Sequence, residues 1–184
     1  DLIIFSSLKE LRISVYWFIV MSSKERKAMK LGILLTDHVM DKLRVTHGDM
    51  ADFYEYIFGK VDSSISLKIF EVVEGVYPKN IDECQGYLIT GSRFSVYDEV
   101  DWIKRLNRFV LELHQLKKPL IGVCFGHQLI AQVLGGEAKE AESGWTIGNQ
   151  TYNFAEDLPW IKRDDSSVNL IHSHIDKFTQ LPPN

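Results

Sequence analysis

Cysteine is scarce in this sequence: Cys84 and Cys124 are the only two in 184 residues. Two thiols cannot make the disulfide framework of a small secreted domain, and free thiols suit a reducing compartment, so a cytoplasmic protein is expected. A basic excess is missing as well. Lys and Arg number 21 against 25 Asp and Glu, a formal net charge of −4, which speaks against a nucleic-acid binder. The most apolar region, DLIIFSSLKELRISVYWFIV, is broken by Lys9, Glu10 and Arg12. No run therefore reaches the roughly 18 apolar residues of a membrane span. The same region starts with Asp1 and lacks a basic n-region and a small-residue cleavage site, so it does not read as a signal peptide. There is no internal repeat, low-complexity tract or linker.

What is present fits one globular domain. A chain of this length can bury about 70% of its unfolded surface, and 45% hydrophobic with 25% charged residues is ordinary for such a domain. Met21 and Met29 stand just upstream of the first good strand signal, so residues 1–28 are expected to be an extension outside the core and residues 29–184 the domain. From Met29 onward strand and helix signals alternate. LGILL is a buried-strand run. GDMADFYEYIFGK reads as a helix with Asp49 as cap and Met50, Phe53 and Ile57 on one face. SLKIFEVVEG and GYLITGS are the second and third strands. Asp101 is placed to cap WIKRLNRFVLELHQL, where Ile103, Leu106, Val110 and Leu113 mark a stripe. PLIGV is the fourth strand, and Leu129, Ile130, Val133 and Leu134 line the helix after it. GWTIGNQTYNF and SVNLIHSHID read as shorter strands joined by a polar loop. The alternation predicts an α/β fold with a mostly parallel, doubly wound sheet.

The chemistry concentrates at Gly122-Val123-Cys124-Phe125-Gly126. A strand-to-helix turn of the form G-x-nucleophile-x-G lifts its central side chain above the sheet, where α/β ligands bind. Cysteine occupies the centre here. The helix that follows aims its N-terminus at the sulfur, which favours thiolate over thiol. The N–H of Phe125 is placed for an oxyanion hole, and a second donor is expected from ITGS, through Gly91 or Ser92. Taken alone, Cys124 also fits a small buried hydrophobe. Its position between a strand run and a helix run favours the nucleophile.

KPLIGVCFGHQLIAQVLGG resembles the nucleophile segment of class I glutamine amidotransferases, GYLITGSRFSVYDEVDWI their oxyanion strand, and HSHIDKFTQLPPN their SHxDxVxxLPxG segment. The likeness is to the stand-alone branch that includes bacterial amidotransferase-like proteins and plant γ-glutamyl peptidases. The resemblance implies a flavodoxin-like sheet with a nucleophile elbow. It implies a thiolate that attacks glutamine or another γ-glutamyl compound, forms a γ-glutamyl thioester and releases ammonia or an amine. Gln128 would contact the bound glutamine, and Ser173 and His174 would meet its amino-acid end. The implied partner is a small-molecule substrate, with an ammonia-accepting synthetase left open. No cofactor and no metal are implied.

The family's base is a histidine followed two residues later by glutamate, downstream of the HxD segment. No H-x-E triplet occurs among the six histidines, His38, His47, His114, His127, His172 and His174. His38, His47 and His114 read as surface or capping residues. His127 lies inside the elbow helix. His172 and His174 stand on a strand near Asp176 and shape the pocket by resemblance. The base is therefore expected beyond Asn184, the chain being the family's domain without its C-terminal part. A γ-glutamyl-binding module without turnover is the alternative. A peptidase of the related intracellular type fits least, because Phe125 stands where it would carry histidine.

Overall fold

The computed structural model describes residues 29–153, 167–180 and 182–183. The expected N-terminal extension, residues 1–28, lies outside them, as does the polar loop at 154–166. Strand β1 (Met29–Leu34) leads through helices α1 (Asp41–His47) and α2 (Met50–Val61) to β2 (Ile65–Phe70). Strand β3 (Gly86–Ile89), α3 (Asp101–Gln115), β4 (Leu120–Gly122) and α4 (Phe125–Val133) follow. These four strands form one parallel sheet in the order β2-β1-β3-β4. The chain moves outward from β1 in one direction to β2 and in the other to β3. The carboxyl ends of β1 and β3 thus form the switch-point crevice where ligands of open α/β sheets bind.

Period-two alternation divides the sheet's side chains between two cores. Leu31, Ile33 and Leu88 point to one face, where Tyr54 and Phe58 of α2 cover them. Leu34, Tyr87, Ile89 and Leu120 point to the other, against Ile103, Leu106, Val110 and Leu113 of α3 and Phe125 and Leu129 of α4. Helices on both faces are what a doubly wound sheet requires, since the central strands β1 and β3 are apolar on both sides. Each fully buried Leu, Ile or Val in the α3 stripe contributes about 1.5–3 kcal/mol of transfer free energy.

Beyond α4 the chain makes two antiparallel ribbons apart from the main sheet. Strands β5 (Glu137–Glu140) and β8 (Asp176–Gln180) pair with each other. Strands β6 (Thr146–Asn153) and β7 (Ser167–His174) make the second pair, with Thr146 opposite His174.

Three local expectations need correction. The buried face of α2 carries Tyr54 and Phe58, whereas Phe53 and Ile57 are 43% and 51% exposed. One apolar helix with residues on several faces leaves periodicity undecided, and the sheet selects the face. The α3 cap is Val100, with Asp101 as the first helical residue and no side-chain cap. The second strand stops at Phe70, because Val72–Glu74 turns into a 3₁₀ helix closed by Gly75 at φ 80°. Asp49 caps α2 as expected, in a reciprocal box with Asp52.

Candidate active site

Strand β4 ends at Gly122 and α4 begins at Phe125, so Cys124 sits on a two-residue turn. Its backbone has φ 50° and ψ −109°, a positive-φ conformation that costs a non-glycine residue about 1–3 kcal/mol. Tight backbone packing holds it there. A Cβ on Gly126 would lie 2.5 Å from the Ile89 carbonyl oxygen, and one on Gly122 would lie 2.4 Å from the Gly126 carbonyl carbon. The Val123 N–H donates to the Ile89 carbonyl at 3.0 Å, and the Gln128 N–H donates to the Cys124 carbonyl at 3.0 Å. Cys124 is half-buried, while Cys84 is fully buried in the α3-side core, where burial pushes its thiol up.

Two of the expected oxyanion donors come together at this turn. A Cβ on Gly91 would stand 3.6 Å from the Cys124 Cβ, so the β3 exit loop passes directly beside the thiol-bearing carbon. Phe125 opens α4, and a first helical N–H has no intrahelical acceptor. Its ring is buried against Trp102, 5.6 Å between centroids. Ser92 follows Gly91 and turns its hydroxyl away, donating to the Thr36 carbonyl at 3.2 Å. Thr36 is a residue that the sequence reading missed. Its hydroxyl donates to the Gly91 carbonyl at 2.8 Å, and its N–H donates to the Thr90 hydroxyl oxygen at 3.0 Å. The end of β1 thereby fixes the loop beside Cys124.

Asp37, the next residue, is 6% exposed and was also missed. The Arg93 N–H donates to its Oδ2 at 2.8 Å, and Nε and Nη2 of the guanidinium donate to its oxygens at 2.9 and 2.7 Å. Burial works against the charge, but the Arg93 bonds and the His38 N–H outweigh it and lower the Asp37 carboxyl. A charged residue separated only by Thr36 from the end of an apolar strand run was the available signal for Asp37. Nothing in the sequence ties it to an arginine 56 positions away. His38 is bonded through Nδ1 to Asp49 Oδ2 at 2.7 Å, in keeping with a capping role. Tyr54 faces the same region from α2. Burial, with the Cys124 thiol nearby, pushes its hydroxyl up to about 12.

The substrate residues expected by resemblance are distributed unevenly. Gln128 and His174 meet at Asp176. The Gln128 Nε2 donates to the Asp176 carbonyl at 3.4 Å, and the His174 Nδ1 lies 2.9 Å from the same oxygen. A carbonyl only accepts, so His174 Nδ1 is the donor of this pair. The buried Asp176 carboxylate accepts from the Ser95 and Tyr97 hydroxyls, each at 2.8 Å. Ser173 is exposed on β7 opposite Ile147, and no hydrogen bond among the described residues ties it to the turn. His172 lies on β7 with its side chain outside the described atoms. His127 follows Cys124 inside α4, and burial pushes its imidazole down to about 4, so it is neutral at pH 7. Among the described residues no cluster of three or more His, Cys, Asp or Glu could hold a metal ion, and no helix is long and apolar enough to cross a membrane.

The chain's relatives carry the same theme. The family model for glutamine amidotransferase class-I matches residues 63–184. Gamma-glutamyl peptidase 3 of Arabidopsis thaliana is 28% identical over 172 residues, covering 89% of this chain and 67% of the relative. Gamma-glutamyl peptidase 4 of the same plant is 30% identical over 152 residues, covering 76% of this chain and 57% of the relative. A crystal structure of a glutamine amidotransferase from Thermotoga maritima superposes with a TM-score of 0.66 at 17% identity, over 85% of this chain and 64% of that one. The chain thus spans between about half and two thirds of the length of these proteins.

Proposed function

The chain belongs to the class I glutamine amidotransferase family, and on that premise we propose that Cys124 is the nucleophile of a γ-glutamyl transfer to water. The thiolate sulfur attacks the γ-carbonyl carbon of glutamine or a γ-glutamyl amide. The tetrahedral oxyanion accepts hydrogen bonds from the N–H of Phe125 and from that of Gly91 or Ser92. Collapse breaks the C–N bond. The amine leaves with a proton taken from solvent water, and a γ-glutamyl thioester remains on Cys124. Water then attacks the thioester, giving glutamate and the free thiol. Gln128, Ser173 and His174 serve the amino-acid end of the substrate.

The observation that supports this reading most is the strained Cys124 turn, beside which a Cβ on Gly91 would stand 3.6 Å from the Cys124 Cβ. Positive-φ strain at a half-buried cysteine is stored at functional turns rather than spread through cores. The working unit is taken to begin with β1 at Met29. Two free thiols, Cys84 and Cys124, fit a cytoplasmic setting.

The test is release of ammonia or amine from glutamine and from a γ-glutamyl dipeptide, with Cys124→Ala as control. A diazoketone analogue of glutamine should label Cys124 alone. No labelling at Cys124 overturns the nucleophile. A second reading is a module that holds γ-glutamyl ligands without turnover. It gives labelling and saturable binding with no Cys124-dependent product.

A further inference from the structure

Arg93 carries a fixed cation at the rim of the crevice. Buried Asp37 grips one edge of its guanidinium, with Nε at 3.1 and 2.9 Å from the two carboxylate oxygens and Nη2 at 2.7 Å from Oδ1. The Arg93 N–H adds 2.8 Å to Oδ2, and Nη2 also lies 3.5 Å from the His38 carbonyl. Among the described residues no acceptor engages Nη1, and the side chain is 64% exposed although its partner is 8% exposed. Neutralising Asp37 needs one edge of the fork. The His38 carbonyl takes up the remaining Nη2 contact, which leaves Nη1 on the exposed side of the guanidinium in a set orientation. A guanidinium so held offers the two Nη1 hydrogens and its full positive charge to a carboxylate.

The position gives that edge a target. Gly91 abuts the Cys124 β-carbon, and Arg93 is two residues further along, at most about 7 Å of chain. Arg93 is tied to the end of β1. Gln128 and His174, by contrast, are gathered at Asp176. The two groups of side chains are anchored by different elements. If the amino-acid end of the substrate lies with His174, Arg93 is left for the other side of the scissile bond. In a γ-glutamyl amino acid or dipeptide the departing amine carries its own α-carboxylate one or two residues from that bond, on the order of 4–7 Å away. Free glutamine, which releases ammonia, has no such group.

We propose that Arg93, oriented by Asp37, binds the free carboxylate of the leaving amino acid or dipeptide, making γ-glutamyl peptides with a free C-terminus the preferred substrates over glutamine. This rests on the reading of Cys124 as nucleophile, and its test is a binding measurement that does not need turnover. Calorimetric titrations of the Cys124→Ala chain with γ-glutamylglycine, its C-terminal amide and glutamine give three affinities. The free acid should bind about tenfold more tightly than the amide, as expected when a charge-assisted bond is removed. Arg93→Gln should bring the acid-to-amide ratio close to one, and Arg93→Lys should keep part of it. Because Arg93→Gln leaves buried Asp37 without its cation, the pair Asp37→Asn with Arg93→Gln serves as the second variant and should also lose the preference. Equal affinity for acid and amide, or a preference that survives in both Arg93→Gln variants, overturns the proposal. So does failure of all three ligands to bind. Diazoketone labelling of Cys124 in the unmutated chain then separates the cases, since retained labelling leaves the nucleophile reading standing and its loss removes both.

Discussion

Tyr97 and Asp176 are 79 residues apart in sequence, and the phenol of one donates to the carboxylate of the other at 2.8 Å. Ser95 donates to the second oxygen, while the Asp176 carbonyl lies within reach of Gln128 and His174. One buried residue therefore ties the segment after β3 to α4 and to the end of β7. Asp176→Ala should lower stability by about 2–4 kcal/mol, from two lost charge-assisted bonds, seen as a fall in Tm of roughly 5–15 °C. Asp176→Asn keeps an acceptor and should lose less than half of that. Equal melting temperatures for Asp176→Ala and the parent chain would refute the linkage.

The glycines of the turn should separate stability from access. A Cβ on Gly126 meets backbone at 2.5 Å, whereas one on Gly91 meets the Cys124 side chain at an ordinary 3.6 Å. Gly126→Ala should cost about 3 kcal/mol or more, since backbone cannot move aside cheaply. Gly91→Ala should change stability by less than about 1 kcal/mol yet slow alkylation of Cys124 by bulky reagents. Chemical denaturation paired with labelling rates checks both halves.

The parts of the fold that were legible in sequence are those where burial and periodicity agree. The α3 stripe Ile103, Leu106, Val110 and Leu113 is wholly buried, and the apolar runs at β1, β3 and β4 are strands of one parallel sheet. Helix α1 was not legible because it buries nothing, and Leu43 and Val45 are exposed. Strand β5 reads EAKE, with Ala138 as its one buried residue, and its partner lies some 40 positions on. Such a strand is specified by pairing rather than by pattern. The Cys124 turn could be read because glycine spacing is local. Thr36, Asp37 and Arg93 could not be joined, because their contacts depend on β1 and β3 lying side by side.

The two thiols should behave differently. Cys84 is buried and Cys124 half-buried, so iodoacetamide should modify Cys124 in the native state and Cys84 only after unfolding. Peptide mass spectrometry with and without denaturant reads this directly. Comparable native-state rates at the two positions would contradict the arrangement.

Acid should weaken the α2 cap. Burial opposes the Asp49 charge, but the N–H groups of Val39 and Met50 and the His38 ring outweigh it and bring its carboxyl from 3.8 to about 2. The folded chain therefore keeps this charge where the unfolded chain has taken up a proton. The resulting stability is complete above about pH 4 and is lost as pH falls towards 2. Asp49→Ala should cost about 1–2 kcal/mol at pH 7 and show a flatter acid limb. Denaturation midpoints between pH 7 and 2.5 provide the comparison.

The perch of Cys124 is made of main chain, with Gly122, Gly126 and Ile89 touching where side chains would collide. Residue choice there has almost no freedom. The crevice walls, at Arg93 on one side and Ser95 and Tyr97 on the other, are made of side chains that lie outside that main-chain contact. Diversification of ligand preference in chains of this architecture is thereby uncoupled from the chemistry of the thiol: new recognition can be drafted on either wall while the reacting atom stays where the backbone puts it.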